Sequence, residues 1–241
     1  MPCRRGPPPP EALRLPLLCL LLLAIAQAAA QVSGGVALLS DYRFRGISLS
    51  DRRPALQGWA SYDHPSGLYA GALVSTISIY GLDPELSAEA YGGYAYALSP
   101  RAALDVTVSR YFYPESSVQG SYDFNDFSFG ASLDRVNARV HYSGDYFGRG
   151  DQAVYVEVNA ALPLSDRLSL VGHFGELARS GGTTAPPPPR FQADAKIGLV
   201  WTVAGFALEF SVVGTDVPSN QCPLPNQSCA PGVVLAVSRE F

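Results

Sequence analysis

Beyond residue 30 this chain has no run of eighteen apolar residues, a single lysine (Lys196), two cysteines and no familiar catalytic signature. A helix that crosses a bilayer needs about 20 consecutive apolar residues, so no further spanning helix is expected. There is no G-x-S-x-G, no glycine-rich phosphate loop and no His/Cys metal spacing, and His64, His141 and His173 fall on separate segments. No catalytic residue, no metal ligand and no cofactor is therefore expected. Positive charge is scarce as well. Without Arg4, Arg5, Arg14 and Glu11 the chain carries 14 basic against 20 acidic residues, a net charge of −6. That balance argues against nucleic acid as a partner. Sixteen arginines to one lysine is explained most simply by genome base composition.

Residues 1–30 read as a secretion signal. Arg4 and Arg5 supply the positive start, Leu13 to Ala26 the apolar stretch, and Ala26-Gln27-Ala28 or Ala28-Ala29-Ala30 the small-residue cleavage site. Pro16 interrupts a run already near the short limit for a retained spanning helix. Leu18 stands before Cys19 where a lipoprotein wants a small residue. Removing the signal leaves residues 31–241, one domain by the length expected of an all-β fold. Cys222 and Cys229, set among Pro223, Pro225 and Pro231, form the simplest kind of loop-closing disulfide in an exported chain.

What the chain has in abundance is alternation. Val233, Leu235, Val237 and Phe241 share one face of the last segment, and Val234, Ala236, Ser238 and Glu240 share the other. A period of two marks a strand with one apolar face. Twelve such segments can be laid out: 35–46, 54–63, 67–78, 86–98, 101–112, 122–133, 135–145, 152–162, 166–176, 190–202, 205–214 and 232–241. Tight turns at 64–67, 99–100, 133–135, 163–166 and 203–205 alternate with longer, more polar links at 47–53, 79–85, 113–121, 146–151, 177–189 and 215–231. The link 177–189 joins a flexible Ser/Gly stretch to a stiff proline run, as a variable solvated loop does. Aromatic residues gather near the loop ends (Tyr42, Phe44, Tyr80, Phe112, Phe124, Tyr142, Tyr146, Phe174, Phe191). A second set gathers near the turn ends (Tyr62, Tyr69, Tyr96, Trp201, Phe206, Phe241). Short turns on one side, long loops on the other and two aromatic belts describe an all-β, up-and-down antiparallel transmembrane barrel of about twelve strands. The alternative, a soluble sandwich or lipocalin-like barrel, demands neither feature.

The stretch Val36-Ala37-Leu38-Leu39-Ser40-Asp41-Tyr42-Arg43-Phe44-Arg45-Gly46-Ile47-Ser48, followed by Pro54-Ala55-Leu56-Gln57-Gly58 and by His64 to Gly71, resembles the opening of a proteobacterial family. These are the TorF-type porins, also known as Gcw_chp proteins of unknown function. The resemblance implies an outer-membrane barrel, residues 31–241, presumed to form a pore. It brings no established substrate and no catalytic residues.

On the first segment Val36, Leu38, Tyr42 and Phe44 are expected to face lipid, which turns Asp41, Arg43 and Arg45 into the lumen. Arginine on the lipid side near the midplane would cost about 2–4 kcal/mol. Two guanidinium groups on one wall can attract anions, or they can pair with carboxylates and fill the interior. Glu89, Asp105, Glu157, Asp194, Glu209 and Glu240 are the candidate partners by parity; Arg139 and Lys196 join the lumen set. Gly46 is expected to serve backbone geometry where the strand leaves the barrel. One constellation could support nucleophilic catalysis: His141-Tyr142-Ser143 puts a base and a hydroxyl on one strand face, as outer-membrane phospholipases do. Parity aims both into the lumen, whereas a lipase presents them to lipid. Asn159 is expected opposite Asn137, and Gln152 opposite Ser143. The chain is thus expected to be no enzyme but a narrow outer-membrane porin of a Gram-negative bacterium, passing small solutes or ions by diffusion. The alternative is a non-conducting barrel with a structural or loop-mediated binding role. Its expected partners are outer-membrane lipid, the solutes themselves and the barrel assembly machinery, engaged through the strand that ends in Phe241.

Overall fold

The computed structural model describes residues 32–79, 85–113, 122–181, 189–222 and 228–241. The proposed signal, Tyr80 and most of the link 177–189 lie outside the described residues. In chain order the strands are β1 (Val32–Leu39), β2 (Arg43–Phe44), β3 (Ile47–Ser48), β4 (Ala55–Asp63), β5 (Leu68–Ile77), β6 (Glu85–Ser99) and β7 (Ala102–Phe112). They continue as β8 (Phe124–Leu133), β9 (Val136–Tyr146), β10 (Asp151–Pro163), β11 (Leu168–Gly181), β12 (Phe191–Val203), β13 (Phe206–Thr215) and β14 (Gly232–Glu240). Each strand of the ring pairs antiparallel with its sequence neighbour, and β1 returns to pair with β14, Gly35 opposite Glu240. β4 completes the closed ring of twelve against β1, where Ser33 Oγ and Ser61 Oγ lie 2.8 Å apart across the seam. Closure leaves no sheet edge for lipid to meet.

The outer wall is apolar because every second residue is. Val154, Val156 and Val158 on β10, Phe127 and Phe129 on β8, and Val233, Leu235 and Val237 on β14 all stand exposed. Between them Tyr155, Glu157, Asp126 and Val234 turn inward. A water-facing surface would not carry so continuous an apolar band; a bilayer-facing one requires it. The molecule is a membrane-spanning β-barrel of the outer-membrane type.

Five departures from the sequence pattern matter. β1 ends at Leu39, not residue 46, so Val36 and Leu38 face lipid while Tyr42 and Phe44 do not. Residues 43–48 instead form a second, two-stranded sheet, β2–β3, and the segment 47–53 is its return limb rather than a surface loop. Phe124 and Tyr146 leave the aromatic belt as well. They are 1% and 3% exposed and point inward, while Phe112, Tyr142, Phe174 and Phe191 stay outside. β11 runs on to Gly181, which shortens the expected link 177–189. The link 147–150 is a tight turn of four residues that carries Phe147 inward, so short and long connections do not alternate strictly.

A charge on the apolar wall tests the assignment. Val156→Arg places a guanidinium in lipid near mid-strand on β10 and is expected to cost about 2–4 kcal/mol in refolding titrations into lipid vesicles. Gln at the inward neighbour Glu157 leaves the wall apolar and is expected to cost far less.

Candidate functional site

The link between β1 and β4 spans fifteen residues although its two strands are neighbours in the ring. It uses the extra length to fold into the lumen. Asp41 organises this inner hairpin: its carboxylate accepts from Arg43 Nε at 2.7 Å and from Ser48 Oγ at 2.6 Å, joining the two limbs. Ser50 Oγ accepts from the Tyr42 amide at 2.9 Å, and the Leu49 amide donates to the Tyr42 carbonyl at 2.7 Å. The tip is a two-residue turn, Arg45-Gly46, with φ of 49° and 79°. Two positive φ values are the mark of the tight hairpin turn whose twist suits its strands. Gly46 therefore does serve backbone geometry, but at the bottom of an inserted hairpin rather than at a strand end. Glycine is needed there for space too: a Cβ would lie 2.7 Å from Asp194 Cβ and 2.9 Å from the Gly214 carbonyl.

Arg45 at φ 49° is a non-glycine residue in the left-handed region, a conformation that persists only where its surroundings enforce it. They do. Its Nη2 donates to Asp126 Oδ2 at 2.8 Å, and its guanidinium lies over the rings of Tyr155 (4.2 Å), Phe44 (5.0 Å) and Tyr146 (5.1 Å). Its carbonyl accepts from Gln192 Nε2 at 2.9 Å, and Gln192 Oε1 accepts in turn from Arg179. Above the tip Phe44 sits at the edge of an aromatic column. Tyr111 stacks on Phe124 at 4.5 Å, Phe124 meets Tyr146 at 5.1 Å, and Tyr146 meets Phe147 at 4.7 Å. With Leu49, Ile77, Ile79, Tyr113, Tyr122 and Leu177 these rings make an apolar core inside the barrel.

The hairpin is also clamped from the β13–β14 link. Cys222 and Cys229 are joined in a disulfide, Cys229 packs on Ile47 and Val217, and the Ser48 amide donates to the Ser228 carbonyl at 3.0 Å. Arg43 Nη1 reaches the Ala230 carbonyl at 2.9 Å. Arg43 Nη2 is buried and has no hydrogen-bond partner among the described residues.

Below the tip is a cavity of about 400 Å³ against the β9–β14 side of the wall. The hairpin residues Asp41 and Arg43 to Gly46 line it together with wall residues that include His141, Glu157, His173, Asp194, Lys196 and Glu209. On the opposite side of the lumen the Tyr69 ring lies over Gly93, the Tyr91 ring over Gly71 and the Trp59 ring over Gly35.

Asp41, Arg43 and Arg45 lie inside the barrel on the hairpin rather than on its wall, Glu240 is exposed at the end of β14, and each cation expected in the lumen meets a carboxylate. Arg43 meets Asp41. Arg139 grips Asp105 through both nitrogens at 2.8 and 2.9 Å, and Lys196 meets Glu209 at 3.1 Å. Arg45 pairs with Asp126, which the parity reading left out because Phe124 breaks the outward pattern of its segment. His173, Tyr155 and Gln192 were missed as well. Tyr155 shares the inward parity of Glu157, the one signal that could have found it. His141 and Ser143 face the lumen; Ser143 lies opposite Ala153, not Gln152, and Asn159 opposite Asn137. Among the described residues no group of histidines, cysteines and carboxylates is arranged to hold a metal ion.

The hairpin geometry has a direct consequence. Gly46→Ala forces a Cβ into Asp194 at a positive φ, so hairpin docking is expected to weaken by about 1–3 kcal/mol. The near-ultraviolet dichroism of the Tyr111–Phe124–Tyr146 column should diminish while the far-ultraviolet β signal stays. An unchanged near-ultraviolet spectrum would contradict the account of the tip.

Comparison with known proteins agrees with this architecture. The NanC porin shares the fold with a TM-score of 0.57 at 10% identity, over 87% of this chain and 98% of its own. The KdgM porin in complex with disordered oligogalacturonate gives a TM-score of 0.50 at 9% identity, over 87% of this chain and 97% of its own. No curated protein matches the sequence. Residues 24–241 match the family described as "Bacterial protein of unknown function (Gcw_chp)", and the chain belongs to that family.

Proposed function

We propose that this barrel passes small solutes across the outer membrane through a lumen that the β2–β3 hairpin narrows, and that it favours cations. The cavity below the tip carries the reading. A barrel needed only as a scaffold could fill its interior with apolar side chains, because desolvating charges is costly. This one instead keeps about 400 Å³ in which Asp41, Arg43, Arg45, Glu157, Asp194, Lys196 and Glu209 stand in the lining beside apolar residues. The porins it resembles in fold agree with such a role, the KdgM porin holding an oligogalacturonate in its own complex.

The preference for cations follows from charge. Arg43, Arg45, Arg139 and Lys196 are each answered by a carboxylate. Glu89, Glu157 and Asp194 also face inward, and among the described residues none has an arginine or lysine within ion-pair distance. An anion channel built on Arg43 and Arg45 would need those guanidinium groups unspent. Selectivity in a narrow pore follows the sign of its lining charge. The closed alternative, a non-conducting barrel with a structural or loop-binding role, is favoured by one observation: the hairpin completes an aromatic core inside the barrel above the tip. The lumen histidines belong to the wall in either case, and no hydrolytic role is assigned to His141 and Ser143.

Single-channel recording of refolded residues 31–241 in planar bilayers separates these readings. The intact chain is expected to give small steps, and replacing residues 41–53 by a short Gly/Ser linker should raise the conductance several-fold. Under a salt gradient the reversal potential should show cation preference, and Glu157→Gln should reduce it. A heat-modifiable barrel that gives no steps with or without the hairpin would overturn the proposal.

A further inference from the structure

Three consecutive residues of the β13–β14 link meet the hairpin, and the disulfide runs through the middle one. The Ser228 carbonyl accepts from the Ser48 amide at 3.0 Å, Cys229 packs on Ile47, and the Ala230 carbonyl accepts from Arg43 Nη1 at 2.9 Å. The other cysteine belongs to a stem that the wall holds. Thr215 Oγ1 and the Asp216 amide both donate to the Ala193 carbonyl, at 2.8 and 3.0 Å, and Asp216 Oδ1 accepts from the Ala193 amide at 2.8 Å. Val217 joins Cys229 and Ile47 in one apolar cluster, and the single 3-10 turn Ser219–Gln221 delivers the chain to Cys222. The bond thus carries the anchorage of β12 across to the return limb of the hairpin.

We infer that the Cys222–Cys229 bond is a redox-operated fastener of the β2–β3 hairpin: closed, it presses Ser228 and Cys229 against the return limb, and opened by a dithiol it lets that limb loosen and the lumen widen. The inference deepens the solute-passage reading by giving that passage a regulator, and it rests on that reading only for its effect on conductance.

The contacts carry it. The link runs from the end of β13 at Thr215 to the start of β14 at Gly232, and the bond joins positions seven apart within it. Closing a loop removes conformational freedom that an open link of this length keeps. The three hairpin contacts do not depend on the bond equally. Ala230 stands two residues before Gly232, which is paired with Val213, so the sheet itself keeps it near Arg43. Ser228 and Cys229 lie farther from β14 and are tied to the stem through the sulfurs. At the tip, the Arg45–Asp126 pair, the Gln192 bond to the Arg45 carbonyl and the aromatic column involve no residue of the link. Opening the bond therefore frees the root of the return limb and leaves the wall intact.

The two sulfurs differ in access. Cys229 is 1% exposed, whereas Cys222 is half-buried at the edge of the cluster. Exchange begins when a thiolate reaches a disulfide sulfur. One thiolate of the dithiol attacks Cys222 Sγ, the bond between the cysteines breaks, and Cys229 leaves as a thiolate that takes up a proton. The second thiol of the reductant then displaces Cys222. The reductant ends as its own disulfide, two electrons poorer, and both cysteines end as thiols.

Hydrogen exchange of refolded residues 31–241 in lipid vesicles, read by mass spectrometry on the peptide 43–50, follows the limb directly. With dithiothreitol the Ser48 and Leu49 amides are expected to exchange several-fold faster while the β10 and β11 amides do not change, and conductance should rise. Cys222→Ser keeps the Cys229 sulfur against Ile47 and removes only the covalent tie. It should exchange fast and conduct more without reductant, and respond no further when reductant is added. Alkylation of the freed thiols confirms that the bond has opened, and the gel shift on heating confirms a barrel; should the variant fail to form one, the reduced unsubstituted chain decides. A bond that dithiothreitol cannot open in the folded barrel overturns the fastener. So does an opened bond with the hairpin amides as slow as before, or a Cys222→Ser barrel that still responds to reductant. Faster exchange in a barrel that never conducts leaves the fastener standing and removes solute passage instead.

Discussion

A ring of twelve strands encloses more space than its own inward side chains fill, whereas eight strands leave a lumen that side chains can close. That surplus volume is the constraint on which the rest of this structure depends. An unfilled lumen is a water channel, and a filled one needs extra chain. This protein supplies the chain from the link between two strands that are already neighbours, β1 and β4, and turns it inward as a hairpin. Its apolar limb completes the core of Phe44, Tyr111, Phe124, Tyr146 and Phe147, and its polar tip roofs a cavity that the wall does not fill.

Bringing a strained arginine and a buried aspartate into that interior requires compensation at every group. Arg45 has a carboxylate, three aromatic faces and a carbonyl held by Gln192. Removing one member of such a buried pair leaves an uncompensated charge, which costs about 3–5 kcal/mol, so the tip is fixed more by what its loss would leave behind than by net attraction. Asp41 plays the corresponding part at the root, where one carboxylate ties Arg43, Ser48 and Ser50 into a single unit. The hairpin thus arrives in the lumen with its own polar groups largely satisfied. That is what lets a segment rich in serine and arginine sit inside a barrel.

The wall was legible from the sequence because a bilayer imposes one rule on it, an apolar residue at every second position, and β4 to β14 obey that rule to within a few residues. The hairpin was not, because it obeys the same rule for a different reason. Tyr42 and Phe44 alternate with Asp41, Arg43 and Arg45 as a lipid-facing strand would, and period alone cannot distinguish burial against lipid from burial inside the lumen. Arg45-Gly46, bracketed by Phe44 and Ile47, was the local signal of a two-residue turn. Phe124 and Tyr146 misled in the same way: an aromatic residue near a strand end suits a membrane interface and an internal core equally well. The inward placement of Arg139, Asp105, Lys196 and Glu209 followed from parity, since all four lie on the wall itself, but parity did not say which of them pair. The Arg45–Asp126 pair could not, because it depends on where an inserted segment ends.

Two kinds of contact therefore hold the hairpin, and they respond to different conditions. The aromatic column and the Ile47–Cys229 contact are apolar and indifferent to pH and salt. The ion pair between Arg45 and Asp126 is neither. The tip meets the wall at several points at once: Asp126 and Tyr155 at the guanidinium, Gln192 at the Arg45 carbonyl, and Asp194 close against Gly46. Releasing the hairpin would therefore break apolar, ionic and backbone contacts together.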